Sequence, residues 1–422
     1  MKSRPFDQIL FFIVLILVFM GTINIYSATH VFAYADFPTY MIFRHVWFTL
    51  IGLLIAYLIT RFPIQLLWTI SGYLVFYTLM ALFLEHIPSV SHSAGGASRW
   101  LKIGSIYLMP SYFAQFSCVM YLSKILSETE NIARKWSRLI IRLIPIILSF
   151  IMILAEPNLS EAIILFLVIF SMINISNARK LIYYFGPFFI IIFIAITINL
   201  LTPSYRAARM TTFLNPARDP HGMGYQIIQS YIFMGSGGLF GQGFDKGIGK
   251  YGYVPGIGTD FAMVNYIEEY GLVGFLIFIS LLMILIFRII HIIRHNSITY
   301  QKMLVFGFSG LILWKIVINL GTIFGLLPMT SIALPFFSYG GSSQIVNLAS
   351  IGVILLISRD TIANRDYVPL LLHKLETSLN SFNRWMDSLK KHPIMVFFLF
   401  IISLILFFLK WFLEIFKLRG MK

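Results

Sequence analysis

Residues 259–290 read TDFAMVNYIEEYGLVGFLIFISLLMILIFRII. The apolar run that begins here continues to about residue 292, long enough for a helix to cross a hydrocarbon layer of about 30 Å. The chain just before it is of another kind. From 202 to 262 it opens TPSYRAARMTTFLNPARDPHGMGYQIIQS and continues MGSGGLFGQGFDKGIGKYGYVPGIGTDF. Polar, glycine-rich backbone of this sort must face water or line a cavity, because lipid leaves its amides unsatisfied. A loop this long inside a compact fold is usually functional.

Working outward, similar apolar runs fall at about 8–28, 44–61, 64–86, 105–126, 138–155, 159–177, 181–201, 303–327 and 342–358, making ten with the one above. The chain has 422 residues, of which 58% are hydrophobic and 12% charged. Soluble domains carry about 25% charged residues, so the composition is that of an integral membrane protein. A formal charge of +15 suggests nucleic acid, but the cations sit in short connections between apolar runs, where membrane topology selects them. Alternate connections hold Lys2, Arg4, Arg61, Lys124, Arg134, Lys135, Arg138, Arg142, Arg179, Lys180, Arg288, Arg294 and Lys302, whereas the other short connections hold only Arg44, Arg99 and Lys102. That asymmetry puts the N-terminus in the cytoplasm and the 202–262 loop outside it. The first run lacks an A-x-A cleavage site and reads as a retained span. Cys118, the single cysteine, can make neither an internal disulfide nor a zinc site and reads as packing.

Beyond the tenth span, Leu372, Leu375, Leu379, Phe382, Met386 and Leu389 recur at helical spacing among Lys374, Arg384, Lys390 and Lys391. This is an amphipathic helix suited to a membrane surface. Pro393 ends it, and Ile394 to about Phe416 makes an eleventh apolar run.

Several polar side chains stand where polarity is costly. Asp260 sits where the loop becomes span eight, and two readings are open: a helix N-cap, or a carboxylate kept ionised by the helix N-terminus and able to accept a proton. Glu268 and Glu269 lie two turns farther along, and Lys315 lies near the middle of span nine. A buried ammonium needs an acidic or carbonyl partner, and Glu268 or Glu269 is the nearest candidate. The outer connections add Arg99, Trp100, Lys102, Arg206, Arg209, Arg218, Lys246 and Lys250, with Gln226 in the loop. Arginines grip phosphate in bidentate fashion and tryptophan stacks on sugars, so the cluster suits an anionic lipid-linked substrate, although any one member is equally a surface charge. Nucleotide motifs fail: Phe240 breaks the G-x-G-x-x-G begun at Gly235, and Tyr251 follows Gly249-Lys250 where a phosphate loop needs Ser or Thr. These glycines instead allow a re-entrant segment to bend closely against the bundle. No His, Cys and carboxylate residues share metal-site spacing, and the need for a divalent cation stays open.

Four stretches in order, GGASRWLKIGS, FLNPARDPHGMGYQIIQS with GSGGLFGQG, TDFAMVNYIEEYGLVG, and GLLPMTSIALPFFSYGGSSQ, resemble the SEDS family (shape, elongation, division and sporulation), whose members include FtsW, RodA and SpoVE. The likeness runs from Asp7 to about Arg359, and the wording TFLNPARDP after Tyr205-Arg206 leans toward FtsW. It implies an all-α, ten-helix bundle over residues 1–358, with a large extracytoplasmic loop between helices seven and eight and a distinct 359–422 tail. It implies a peptidoglycan glycosyltransferase that polymerises lipid II at the outer face of the cytoplasmic membrane. The implied partners are a class B penicillin-binding protein and other division or elongation membrane proteins, with a septal location. The essential acid falls on Asp260, an Arg-Trp pair on Arg99 and Trp100, and the SYGGSS turn on Ser338, Tyr339, Ser342 and Ser343 with their glycines. Two other classes compete: a transporter of a lipid-linked precursor, and a division scaffold without chemistry.

The chain also departs from the family. Where members usually read Q-P-S-E followed by a Lys, it reads MPSYFAQ with Tyr112 and Gln115 at the charged positions, and the usual P-D-L-G-T becomes Pro157-Asn158-Leu159-Ser160-Glu161. Charges of both signs vanish together while Glu161 is new, which implies a rewired polar network between spans four, five and six.

Overall fold

A computed structural model describes residues 6–32, 40–87, 91–94, 97–104, 106–132, 136–156, 158–176 and 212–363. The helices are α1 (Gln8–Thr29), α2 (Tyr40–Arg61), α3 (Ile64–Leu84), α4 (Pro110–Ile132), α5 (Trp136–Ala155), α6 (Leu159–Ile175), α7 (Met223–Ser236), α8 (Ala262–His295), α9 (Thr299–Ile323) and α10 (Gly341–Ala363). Between α3 and α4 runs an antiparallel three-stranded sheet, β1 (Ser91–Ala94), β2 (Ala97–Ile103) and β3 (Ile106–Leu108), in sequential order. Every expected span but the seventh has its helix here. Residues 181–201, Arg206, Arg209, the amphipathic stretch and the eleventh run lie outside the described residues.

Among the described residues, six helices are long and apolar enough to cross a membrane, α1, α2, α3, α8, α9 and α10, and α5 and α6 add shorter apolar segments. The chain is a multi-pass membrane protein. α9 and α10 are almost wholly enclosed by their neighbours, whereas α2 and α3 turn Phe43, Trp47, Leu54, Phe76 and Phe83 outward. Large apolar side chains on the outside of a bundle are what lipid requires. At one end Asp7 caps α1 by accepting from the Leu10 amide at 3.0 Å, takes a bond from Arg288 Nε of α8 at 2.9 Å, and donates its own amide to Ser358 Oγ of α10 at 3.0 Å. One carboxylate thus ties together three helices far apart in sequence.

The fourth span starts later than hydropathy suggests. Residues 106–108 form β3, and α4 begins at Pro110, whose fixed φ and missing N–H suit a first helical position. Polarity likewise hid α7, a helix of 14 residues inside the long loop.

The loop is built into the bundle at a break in α8. Gly271 has φ +66° and ψ −163°, a conformation close to glycine-only, and interrupts the helix about two and a half turns below its start. The break frees backbone groups on both sides, and the segment after α7 satisfies them. The amides of Gln242 and Gly243 donate to the carbonyls of Glu268 and Glu269 at 2.9 and 3.0 Å, while those of Leu272 and Val273 donate to Gly238 and Leu239, each at 3.0 Å. Buried backbone groups are almost always paired, and this exchange closes the account. A Cβ on Gly271 would stand 2.3 Å from the Gly241 nitrogen and 2.5 Å from the Leu239 oxygen. Gly271→Ala is therefore expected to cost about 3 kcal/mol or more, combining backbone strain with a backbone clash. A melting curve in detergent that matches wild type would show that the break tolerates a side chain.

Charge fastens the same loop. Glu268 accepts the amides of Ile248 at 2.6 Å and Gly249 at 3.2 Å, and Glu269 Oε1 lies 3.3 Å from Lys250 Nζ. Lys250 is fully buried and also bonds the Asp245 side chain, the Asp245 carbonyl at 2.8 Å and Ser27 Oγ of α1 at 3.1 Å. The expected pairing of Lys315 with Glu268 or Glu269 is thus corrected: the acidic pair serves the loop, and Lys315 meets other groups.

Candidate active site

Asp260 ends up at the wall of a cavity of about 460 Å³, opposite β2 and the start of α10. The N-cap of α8 is Phe261, so Asp260 stands one residue outside the helix and the N-cap reading is set aside. Its backbone is pinned from two sides. Asn319 Nδ2 of α9 donates to the Asp260 carbonyl at 2.8 Å and to that of Ile332 at 2.7 Å, and the Tyr339 amide donates to Gly258 at 3.0 Å. Farther in, Asn24 of α1 donates to the Ala262 carbonyl at 2.8 Å and accepts from Asn265 at 3.0 Å. The carboxylate therefore sits on a turn whose position is fixed by α1, α9 and the 331–340 stretch.

Arg99, Trp100 and Tyr107 of the sheet, Met109 and Tyr112 at the start of α4, Asn158 before α6, and Arg44 and Phe48 of α2 line the rest of the cavity, together with Thr259, Ser331, Tyr339, Ser342 and Ser343. Antiparallel pairing of Leu101 with Leu108 and Lys102 with Tyr107 holds the sheet over it. The Met109 amide donates to Ser342 Oγ at 3.0 Å, which joins α4 to α10 beneath the sheet. Two guanidinium groups and one carboxylate thus share a hollow rimmed by aromatic and hydroxyl side chains. Such a hollow can hold a phosphate against arginine while a carboxylate takes a proton from a nearby hydroxyl.

The structure brings together Asp260, Arg99, Trp100, Tyr339, Ser342, Ser343 and Asn158. Other expected contacts lie elsewhere. Ser338 is buried and accepts the Leu334 amide at 3.0 Å, so it shapes the turn instead of facing the cavity. Gln226 of α7 donates to the Pro255 carbonyl at 2.6 Å and tethers the loop. Lys102 and Lys246 are exposed away from the cavity walls. Arg44 also lines the cavity, and its signal in the sequence is a lone arginine near one end of a span.

Beneath the cavity, Gln115 Nε2 of α4 donates to the carbonyl and to Oε2 of Glu161 on α6, at 2.9 and 2.8 Å. Lys315 Nζ lies 4.4 Å from the centre of the Tyr112 ring, with Glu161 as its electrostatic partner. At the side lie the buried carboxyls of Glu85 and Glu156, whose oxygens receive no hydrogen bond from the described residues. No three His, Cys, Asp or Glu side chains among the described residues form a metal-sized group.

Comparison with known proteins now adds a lineage. The model of the FtsW, RodA and SpoVE family, described as "Cell cycle protein", matches residues 7–362. The chain belongs to this family. A "Probable peptidoglycan glycosyltransferase FtsW" of Coxiella burnetii is 32% identical over 371 residues, covering 85% of this chain and 98% of the relative. The "Stage V sporulation protein E" of Bacillus subtilis is 33% identical over 362 residues, with coverage of 85% and 98%. Among solved structures, one described as "Structural coordination of polymerization and crosslinking by a peptidoglycan synthase complex" superposes with a TM-score of 0.67 at 27% identity, covering 85% of this chain and 98% of its own. The RodA of Thermus thermophilus superposes with a TM-score of 0.61 at 25% identity over the same shares. The FtsW/RodA/SpoVE fold thus accounts for the helical bundle.

Proposed function

We propose that this protein is a peptidoglycan glycosyltransferase that polymerises lipid II at the outer face of the cytoplasmic membrane, paired with a class B penicillin-binding protein. The observation that carries the reading is the meeting of Asp260 with Arg44 and Arg99 in one cavity. Asp260 takes the proton from a sugar hydroxyl of the lipid-linked acceptor. The hydroxyl oxygen forms its bond to the anomeric carbon of the donor as the bond to the polyprenyl diphosphate breaks, and the diphosphate leaves with the electron pair. Arginines hold that leaving group, so it needs no strong acid, and the donor centre inverts. Relatives bearing the glycosyltransferase name, and a synthase complex of like fold, support this substrate class. The basic inner connections support a cytoplasmic N-terminus, and the FtsW-like wording of the loop supports a septal role.

The test is polymer formation from lipid II by the purified chain with its penicillin-binding protein, wild type against Asp260→Asn. Loss of polymer supports the reading, and retained polymerisation overturns it. A transporter would instead keep its activity on Asp260→Asn, and a scaffold would be indifferent to it.

A further inference from the structure

We propose that Tyr112 is a substrate-facing positioning residue of this site, its ring held over Lys315 at the floor of the Asp260 cavity. The inference rests on the glycosyltransferase reading and adds to it a group that presents a hydrogen bond to the sugar–diphosphate substrate. Tyr112 is only 7% exposed, yet it lines the cavity. Ser343 and Asp260 line the same cavity.

The socket is held by independent anchors. Gln115 fixes Glu161 at 2.8 Å, and Asn347 donates to Ser343 Oγ at 3.2 Å. Under the ring, Lys315 is 1% exposed in the middle of α9, and its Nζ makes no hydrogen bond among the described residues. A cation inside a membrane bundle is expensive, and here the face of the Tyr112 ring and the charge of Glu161 offset that cost. Rotating the ring away would strand the ammonium, so the cation locks the ring's orientation. A phenol hydroxyl has one proton and two lone pairs. As part of the cavity lining it can therefore donate one hydrogen bond to a bound substrate and accept another.

The sequence departures acquire a physical meaning. Charge is absent at 112 and 115 of α4, and a carboxylate and an ammonium stand around the same point on α6 and α9 as Glu161 and Lys315. The pair is placed below the tyrosine, where it orients a neutral donor, and the cavity floor itself carries no charge.

The experiment measures lipid II polymerisation by the full chain with its penicillin-binding protein for wild type, Tyr112→Phe, Lys315→Met, the double variant and Asp260→Asn, each checked by melting in detergent. Tyr112→Phe should melt like wild type and lower kcat/KM about tenfold, the worth of one hydrogen bond, mainly through KM. Lys315→Met should lose as much or more, and the double variant should be no worse than Lys315→Met, because both act through one hydroxyl. Wild-type kinetics in Tyr112→Phe, or losses that multiply in the double variant, would overturn the proposal. If Lys315→Met does not fold, Tyr112→Phe decides alone. An inactive Asp260→Asn beside an unaffected Tyr112→Phe removes only this inference, whereas an active Asp260→Asn removes the glycosyltransferase reading beneath it.

Discussion

Asp260→Asn is expected to lower polymerisation by roughly a hundredfold to ten-thousandfold, the usual share of a positioned general base. The exchange is close to isosteric, so the cavity keeps its shape. The fold should also survive, because the bond that fixes this turn runs from Asn319 to the Asp260 backbone carbonyl and does not involve the side chain. What disappears is the acceptor for the sugar proton. The melting temperature should therefore match wild type while polymer yield collapses, and raising the pH should not restore it, since an amide gains no basicity. A variant that keeps more than a tenth of the activity would show that another group accepts the proton.

The second large effect is on stability. Lys250→Met removes the cation that joins Asp245, Glu269 and Ser27, and leaves Glu269 buried beside the break in α8 without its counter-charge. Removing one partner of a buried pair typically costs about 3–5 kcal/mol, because the other charge is stranded. The variant should melt well below wild type and become open to protease between α7 and α8. Adding Glu269→Gln should recover part of the loss, since the second change removes the stranded charge. If the double variant is less stable than Lys250→Met, the electrostatic account of this anchor is wrong.

The spans were legible because a bilayer turns hydrophobicity and length into structure almost directly. The site was legible only in part. Asp260, Arg99 and Trp100 could be singled out as polar residues at the edges of apolar runs, and the structure places them around one cavity. The partners of buried charges could not be read. Lys315 and Glu268 sit on successive helices, yet Lys315 lies by Tyr112 and Glu161, brought there by α4 and α6 from far earlier in the chain. Nor does hydropathy mark the sheet, whose short strands carry Ser, Arg and Lys, or α7, whose flanking glycines read as loop. Long-range pairs such as Ser27 with Lys250 leave no local pattern to recognise.

The exchange of backbone bonds at Gly271 also has a bearing on biogenesis. The ribosome delivers residues 238–243 before residues 268–273, so the earlier segment must wait for the later one to emerge before either can complete its bonds. Until they dock, two carbonyls and two amides of the nascent α8 are left unmet close to the bilayer, which holds that helix at a shallow depth. Full insertion of α8 is therefore expected to wait on docking of the 238–243 segment.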